Sequence, residues 1–346
     1  MPSHSFGFPT ETLIIFVVVI SVSLYLDLFS HRHSKEITLR DATLWSCFWV
    51  GTSLAFYVYL HFRFHAGYAE LFLAGYVLEK ALSIDNLMVF MAIFSSFAIK
   101  GALQHRILYY GILGALLFRA VFVGIGTALM AATPWMGFLF AAIVAWSAWK
   151  MMTSGDHDDE IKDYSGHWSV RLAHRFIPVF PFLRDEHFFI SRANVEKHPE
   201  GEPILSNLKK AAWYATPAFL CLVTIETSDV MFAFDSVPAV IAVTHDPLLV
   251  YAAMIFAILG LRSLYFILAY LVRYLVHLEK AVIILLYYIA VKLALQSANH
   301  VFNWPGYNIP PMVSLAIVLA VLALGVLASF IFPKKKEAKE KDNHPS

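Results

Sequence analysis

Blocks of about 20 consecutive apolar residues, spaced along the whole chain, limit what this sequence can fold into more than any other feature. Of its 346 residues, 59% are apolar and only 15% are charged, against roughly 45–50% and about 25% in soluble domains. Each block is long enough to cross a hydrocarbon core of about 30 Å as a single α-helix. The sequence therefore predicts an all-α polytopic membrane protein.

Nine blocks are predicted to be transmembrane helices. They cover residues 10–29, 43–62, 69–97, 107–131, 134–152, 212–243, 248–275, 280–298 and 312–332. The third and sixth are longer than a span requires and contain charged residues, which favours broken or tilted helices there. The first has no Lys or Arg before it and no small-residue cleavage site after it, so it is interpreted as a span and not as a signal peptide.

Lysine and arginine lie mainly in alternate loops. They follow the first, third, fifth, seventh and ninth blocks, as at Arg32, Lys100, Arg171, Arg273 and Lys334. Because cytoplasmic loops of membrane proteins are enriched in these residues, the N-terminus is predicted outside and the C-terminus in the cytoplasm. The predicted location is the bacterial inner membrane.

Two units of three spans repeat one another. In the first unit, Asp85 follows Glu79 by six residues, and in the second unit Asp235 follows Asp229 by six. The next two spans of each unit hold one arginine and then one lysine: Arg119 and Lys150 in the first unit, Arg262 and Lys292 in the second. Since three spans is an odd number, the units must be inverted relative to each other, and inverted repeats place a transport site at their interface.

This repeat divides the chain into six predicted parts. They are two N-terminal helices (1–68), the first repeat (69–152), a cytoplasmic loop (153–211), the inverted second repeat (212–298), a C-terminal helix (299–332) and a charged cytoplasmic tail (333–346).

Carboxylates inside the apolar blocks are the strongest functional signal. They are Glu79, Asp85, Glu226, Asp229 and Asp235. An ionised carboxylate at this depth costs at least about 2.5 kcal/mol on insertion scales. One interpretation is structural, with Arg119 and Arg262 pairing with two of them. That pairing leaves a net negative cluster, which a bound cation would neutralise.

Other oxygen atoms are predicted to accompany the acids. Helical spacing puts Ser83 and Asn86 on the face of Glu79, and Ser236 on the face of Asp229. Pro238 predicts a helix break at 234–238, which would free backbone carbonyls and turn Asp235 inward. An oxygen-only ligand set suits Mg²⁺, Ca²⁺ or Mn²⁺ better than zinc or copper.

The other polar residues leave two interpretations open. Asp27 is either a relay acid or an interfacial residue, and Lys150 and Lys292 either support the site or extend their ammonium groups to the membrane surface. The stretch 156–167 either captures metal or is a solvated acidic loop, and His245 is interpreted as interfacial. Four glycines are interpreted as close helix packing, namely Gly111, Gly114, Gly124 and Gly126.

Four strings resemble the TerC family of integral membrane proteins, and its Alx branch in particular. They are EKALSIDNLMVF (79–90), ETSDVMFAFDSVPAVIAVTHDP (226–247), FAILGLRSLYF (256–266) and DEHFF (185–189). The resemblance implies manganese export and an older association with tellurium resistance. It also implies the metal ligands Glu79, Asp85, Asn86, Glu226, Asp229 and Asp235.

The expected function is therefore secondary transport of Mn²⁺ out of the cell, coupled to protons, and not enzymatic catalysis. The sequence has no nucleotide-binding loop, so no ATP is expected, and its near-neutral charge predicts no nucleic-acid partner. Cys47 and Cys221 form no CxxC motif, so neither a redox cofactor nor a disulfide is expected. The alternatives are a membrane factor for assembly or metal loading of other proteins, and a tellurium-resistance or redox protein.

Overall fold

The computed structural model describes ten stretches of the chain, which are residues 10–29, 38–64, 66–133, 135–154, 166–182, 187–196, 211–244, 246–271, 277–302 and 309–332. The helices of the first half are α1 (Thr10–Phe29), α2 (Leu39–Arg63), α3 (Ala66–Ser96), α4 (Ala102–Ala132), α5 (Met136–Ser154), α6 (Trp168–Phe176) and α7 (Arg192–Glu196). Those of the second half are α8 (Pro217–Thr244), α9 (Pro247–Ile258), α10 (Leu261–Leu271), α11 (Leu278–Phe302) and α12 (Pro311–Ile331).

Six of these helices are long and apolar enough to cross a membrane, and α9 and α10 together make a seventh span if their bend of 54° is counted as a break within one span. The helix α3 is longer than any of them except α4, but it carries Glu79, Lys80 and Asp85 in its central turns. The chain is thus an all-α polytopic membrane protein in its membrane-spanning part, as its apolar blocks predict.

A short antiparallel sheet joins the segment that was expected to be a loop to the first residues of the sixth predicted span. Strand β1 (Phe189–Ser191) pairs with β2 (Trp213–Ala215), with Ile190 opposite Tyr214. The sixth predicted span, 212–243, therefore begins too early, because its first residues form β2 and the helix begins at Pro217.

The predicted break at 234–238 is wrong, because α8 continues as one helix through Pro238. Proline removes one backbone hydrogen bond, but every residue from Ser236 to Thr244 is buried against neighbouring helices. This packing holds the helix together. The other long helix, α3, is also unbroken over 31 residues, so tilting is the alternative left for both.

The actual break lies one span later, between α9 and α10. Gly260 has φ +78°, a conformation that side chains other than glycine rarely adopt. The indole of Trp49 on α2 occupies the place where a Cβ of residue 260 would lie. Glycine is therefore required here both by the backbone conformation and by the approach of α2.

The centre of the bundle is formed by α8 and α9, with α3 and α4 packed on both. On one side α5 packs along α11, and α12 covers α3 and α11. This arrangement places the middle turns of α3, α4 and α8, which contain buried charges, at the core of the bundle.

Candidate functional site

A buried ion triad joins the middle of α3, α4 and α8. Arg119 on α4 is 2% exposed, and its Nη1 forms an ion pair with Glu79 Oε1 on α3. Its Nη2 and Nε donate to the two carboxylate oxygens of Asp229 on α8, at 3.0 and 3.4 Å. Ser236 Oγ, two turns along α8, accepts from Nη1 at 3.5 Å. One guanidinium thus holds two carboxylates.

The triad is not electrically balanced. With all three groups ionised, Glu79, Asp229 and Arg119 sum to one negative charge. The second oxygen of Glu79, Oε2, is buried without a hydrogen-bond partner among the described residues. A buried carboxylate oxygen without a donor is a costly feature, and it marks the place where a cation or a proton would be stabilised.

Glu226 lies next to the triad, one turn before Asp229 on α8, and interacts with it electrostatically. Its carboxylate rests against Gly114 and Gly111 of α4, at a position that a Cβ on Gly114 would overlap. Its Oε2 is also buried with no hydrogen-bond partner in the part of the chain that the structure describes. The two glycines therefore make room for a carboxylate.

Gly114→Ala is expected to displace the flexible Glu226 carboxylate and to destabilise the protein by up to about 2 kcal/mol, because an overpacking cost of about 1–3 kcal/mol exceeds the gain of up to about 1 kcal/mol that alanine brings to a helix. Gly51→Ala on α2 is the matched control, because nothing lies within 4 Å of the added Cβ. That change should be neutral or stabilise the helix by up to about 1 kcal/mol. Thermal unfolding of the purified variants measures both, and equal unfolding temperatures would contradict the placement of Glu226.

Asp235 is bound to a different helix. It accepts a hydrogen bond from Ser147 on α5 and interacts electrostatically with Lys150. Lys150 is exposed and lies over the ring of Trp146 at 5.5 Å. The structure thus places Asp235 between α8 and α5, outside the triad.

The second acid of α3, Asp85, also lies apart from the triad. Its charged neighbour is Glu279 in the first turn of α11. Asp85 Oδ2 and Asn86 Nδ2 are buried without hydrogen-bond partners among the described residues. Ser83 Oγ donates to the backbone oxygen of Glu79 at 2.8 Å, so its hydrogen bond is made within α3.

Two further cations, Arg262 and Lys292, are buried within the bundle. Arg262 is 3% exposed and is the second residue of α10, directly after the break. Lys292 is 3% exposed and lies ten residues, about 15 Å, from the end of α11. The interpretation of Lys292 as a residue that reaches the membrane surface is therefore wrong, whereas the exposed Lys150 fits it.

The six predicted metal ligands do not surround one point in this structure. Across the described stretches, no group of three or more His, Cys, Asp or Glu residues is arranged to hold a metal ion. Four predicted features lie outside the described residues: the side chain of Asp27, the residue His245, the stretch 155–165 and the tail from 333. The triad, Glu226 and Ser236 form the candidate site, and Asp85 and Asp235 lie at its flanks.

One charged contact next to the candidate site was missed from the sequence. Lys80 on α3 donates from Nζ to the backbone oxygens of Ala257 and Leu259, at 3.0 and 3.2 Å. These are carbonyls at the end of α9 that lose their helical partners at the break. The available signal was a lysine adjacent to Glu79 in the middle of an apolar block.

The fold and these charges define a polytopic membrane protein with an ion pair and additional carboxylates in its core. The model of the integral membrane protein TerC family matches residues 64–337, and the chain belongs to this family. The predicted membership of the TerC family is confirmed.

Curated relatives cover nearly the whole chain. The tellurium resistance protein TerC of Serratia marcescens is 52% identical over 345 residues, 99% of each chain. A protein of the same name from Alcaligenes is 50% identical over 99% of this chain and all of its own. The putative membrane-bound redox modulator Alx of Escherichia coli K12 is 33% identical over 89% of this chain and 91% of its own. No solved structure matches the chain.

Proposed function

We propose that this chain is a secondary transporter that exports Mn²⁺ across the bacterial inner membrane in exchange for protons. The observation that carries the proposal is the pair of buried carboxylate oxygens, Glu79 Oε2 and Glu226 Oε2, that have no donor among the described residues and lie beside the Arg119 ion pairs. These atoms are in the core of a membrane protein, where a charge without a partner is costly.

The charge balance favours a divalent cation. Glu79, Glu226 and Asp229 carry three negative charges when ionised, and Arg119 carries one positive charge. Two negative charges then remain. Two protons would neutralise them in the present arrangement, and one divalent cation would do so after the carboxylates move closer together, since no three of them are arranged to hold a metal in the described residues. Because metal and protons would compete for the same carboxylates, binding of one favours release of the other, and this competition supplies the coupling.

The ligand chemistry favours a hard cation. The candidate site offers carboxylate and hydroxyl oxygens, with Ser236 within 3.5 Å of the Arg119 guanidinium. Carboxylate and hydroxyl oxygens suit Mg²⁺, Ca²⁺ and Mn²⁺. Among these three, the resemblance of the two acid motifs to those of the TerC family favours manganese. The family ligands Asp85, Asn86 and Asp235 would act on the path to or from the site.

The topology proposed for transport has nine spans, including α1, α3 and the α9–α10 pair, with the N-terminus outside. Its two inverted units contain Glu79, Asp85, Arg119 and Lys150 in one, and Asp229, Asp235, Arg262 and Lys292 in the other. In this orientation α3 runs inward and α8 runs outward, so Glu79 and Asp229 meet at similar depth from opposite directions.

Purified protein in proteoliposomes with internal Mn²⁺ and pH indicators is expected to move Mn²⁺ and to change the lumenal pH in step. Asp229→Asn should abolish the flux and leave a folded protein, because Arg119 still pairs with Glu79. Asp246→Asn is the matched control, since in the described part of the chain the Asp246 carboxylate accepts from the amides of Leu248 and Leu249 and caps α9. It should transport normally.

The outcomes separate the alternatives. Flux of Ca²⁺ or Mg²⁺ without Mn²⁺ would overturn the choice of metal and leave a transporter. Absence of flux for all three metals would favour a membrane factor for assembly or metal loading. Normal Mn²⁺ flux through Asp229→Asn would overturn the triad as the site.

A role in tellurium resistance is the second candidate, favoured by the relative of that name with 52% identity. It is tested by tellurite survival of cells that express the wild-type chain, Asp229→Asn or no protein. Protection by the wild type and not by Asp229→Asn would connect resistance to the same buried site. Equal protection by both proteins would separate resistance from transport.

A further inference from the structure

The short helix α6 has two outward-facing stripes of different chemistry. Trp168, Leu172 and Phe176 are spaced four residues apart and are 47%, 48% and 75% exposed. Arg171 and Arg175 are also four residues apart and exposed, and no salt bridge joins them to an acid in the described parts of the chain. Residues four apart share one side of a helix, so an apolar stripe lies beside a basic stripe.

The third side of α6 attaches it firmly to the bundle. Ser169 Oγ lies 3.3 Å from Thr224 Oγ1 of α8, and Val170 packs in a buried cluster with Val179, Ala215 and Leu220. His167 caps the helix, since its Nδ1 accepts from the amide of Ser169 at 3.5 Å. The orientation of the two outer stripes is therefore fixed by contacts on the inner side.

The helix α6 packs beside the ends of two long helices of the bundle. Two partly buried residues pack against its buried cluster, Phe219 near the start of α8 and Phe97 directly after the end of α3. The ends of spanning helices lie at the boundary between hydrocarbon and headgroups. The β1–β2 pair beside it exposes two more aromatic side chains, Phe189 and Trp213, of the kind that is enriched at this boundary.

We propose that α6 is an interfacial helix that binds anionic phospholipid headgroups. Trp168, Leu172 and Phe176 enter the acyl boundary, and Arg171 and Arg175 contact the phosphates. An apolar stripe beside a basic stripe is the pattern of helices that lie in the membrane plane, and arginine binds phosphate with paired N–H donors. The inference is independent of what the bundle transports.

The pKa of His167 supports the attachment of α6 near neutral pH. Burial, and secondly the charge of Arg171, lower the pKa of this imidazole from its usual 6.5. The neutral ring that accepts from Ser169 is thus favoured in the folded protein. Its contribution to stability is full above pH 6.5 and is lost as the pH falls below that value.

A fluorescent label at Leu172 tests the proposal in the full-length chain, after both native cysteines are replaced by alanine and Leu172→Cys is introduced. In vesicles of phosphatidylglycerol and phosphatidylcholine, we expect quenching by lipids that carry a quencher on the acyl chain, and little quenching by aqueous iodide. A label introduced by His174→Cys, on the polar side of α6, should show the reverse. Iodide quenching at Leu172 as strong as at His174 would overturn the proposal.

The role of the arginines is tested by Arg171→Gln combined with Arg175→Gln. In the wild type, we expect stronger lipid quenching in vesicles that contain phosphatidylglycerol than in vesicles of pure phosphatidylcholine. The double variant should show equal quenching in both. Arg63→Gln is the control, because Arg63 is exposed but pairs with Glu11 at a distant helix end, and it should keep that increase. Equal lipid quenching with and without phosphatidylglycerol in the wild type would overturn the proposal that α6 binds anionic headgroups. Quenching that depends on protein density would also overturn it, because such a result indicates contact with a second copy of the chain.

Discussion

Arg119→Gln is expected to destabilise the protein by about 3–5 kcal/mol, the usual cost of removing one partner from a buried ion pair. Glu79 and Asp229 would both stay buried and would both lose the guanidinium that contacts them. Thermal unfolding of the purified protein in detergent, together with the amount recovered from membranes, measures the effect.

Arg63→Gln is the matched control for this change. Arg63 also pairs with a carboxylate, Glu11, but these side chains are 46% and 63% exposed. An exposed pair contributes about 0–1 kcal/mol, so the unfolding temperature should barely change. Combining Arg119→Gln with Asp229→Asn should recover part of the loss. An Arg119→Gln protein as stable as Arg63→Gln would mean that protons, and not the arginine, compensate the buried acids.

Lys80→Met is expected to loosen the break between α9 and α10 and to destabilise the protein by about 2–4 kcal/mol, from two hydrogen bonds to a charged donor. The carbonyls of Ala257 and Leu259 would lose the ammonium group that they accept from, and methionine offers no donor in its place. Hydrogen exchange at the amides of residues 259–264 should become faster, and the unfolding temperature should fall.

Lys80→Arg keeps donors at this place and should retain most of the stability. Lys100→Met is the control for the loss of a lysine, because Lys100 is exposed beyond the end of α3, and it should leave exchange at the break unchanged. If Lys80→Met exchanged no faster than Lys100→Met, the lysine would have no part in holding the break.

Of the nine predicted spans, the six or seven that the structure supports were predictable because a lipid environment imposes both a length and an apolar composition on each helix. Thus α12 (Pro311–Ile331) lies within a residue of its predicted bounds. The break was predicted at the wrong residue because Pro238 removes only one hydrogen bond from a helix that otherwise stays intact. Gly260, in contrast, has a positive φ, and the indole of Trp49 on α2 packs where a side chain of residue 260 would begin. The sequence shows both residues, but only the packing decides which one interrupts a helix.

The charged residues of the site were predictable, as was the pairing of Arg119 with a buried acid, but which acids it contacts was not. A carboxylate in an apolar block is costly wherever it lies, so Glu79, Asp229 and Arg119 could be identified one by one. Their pairing depends on how α3, α4 and α8 face one another, which helical spacing within one chain segment does not define. For the same reason Asp235 was expected at the shared site and lies against Ser147 of α5.

Two neighbouring residues of α3 hold this helix from two directions. The carboxylate of Glu79 contacts Arg119 on α4, and the ammonium of Lys80 contacts the end of α9. Successive side chains of a helix point about 100° apart, so these contacts act as two anchors around one axis. Rotation of α3 about its axis would break a charged contact on both sides at once. Any movement of α3 must therefore be a translation or a tilt that α4 and α9 share.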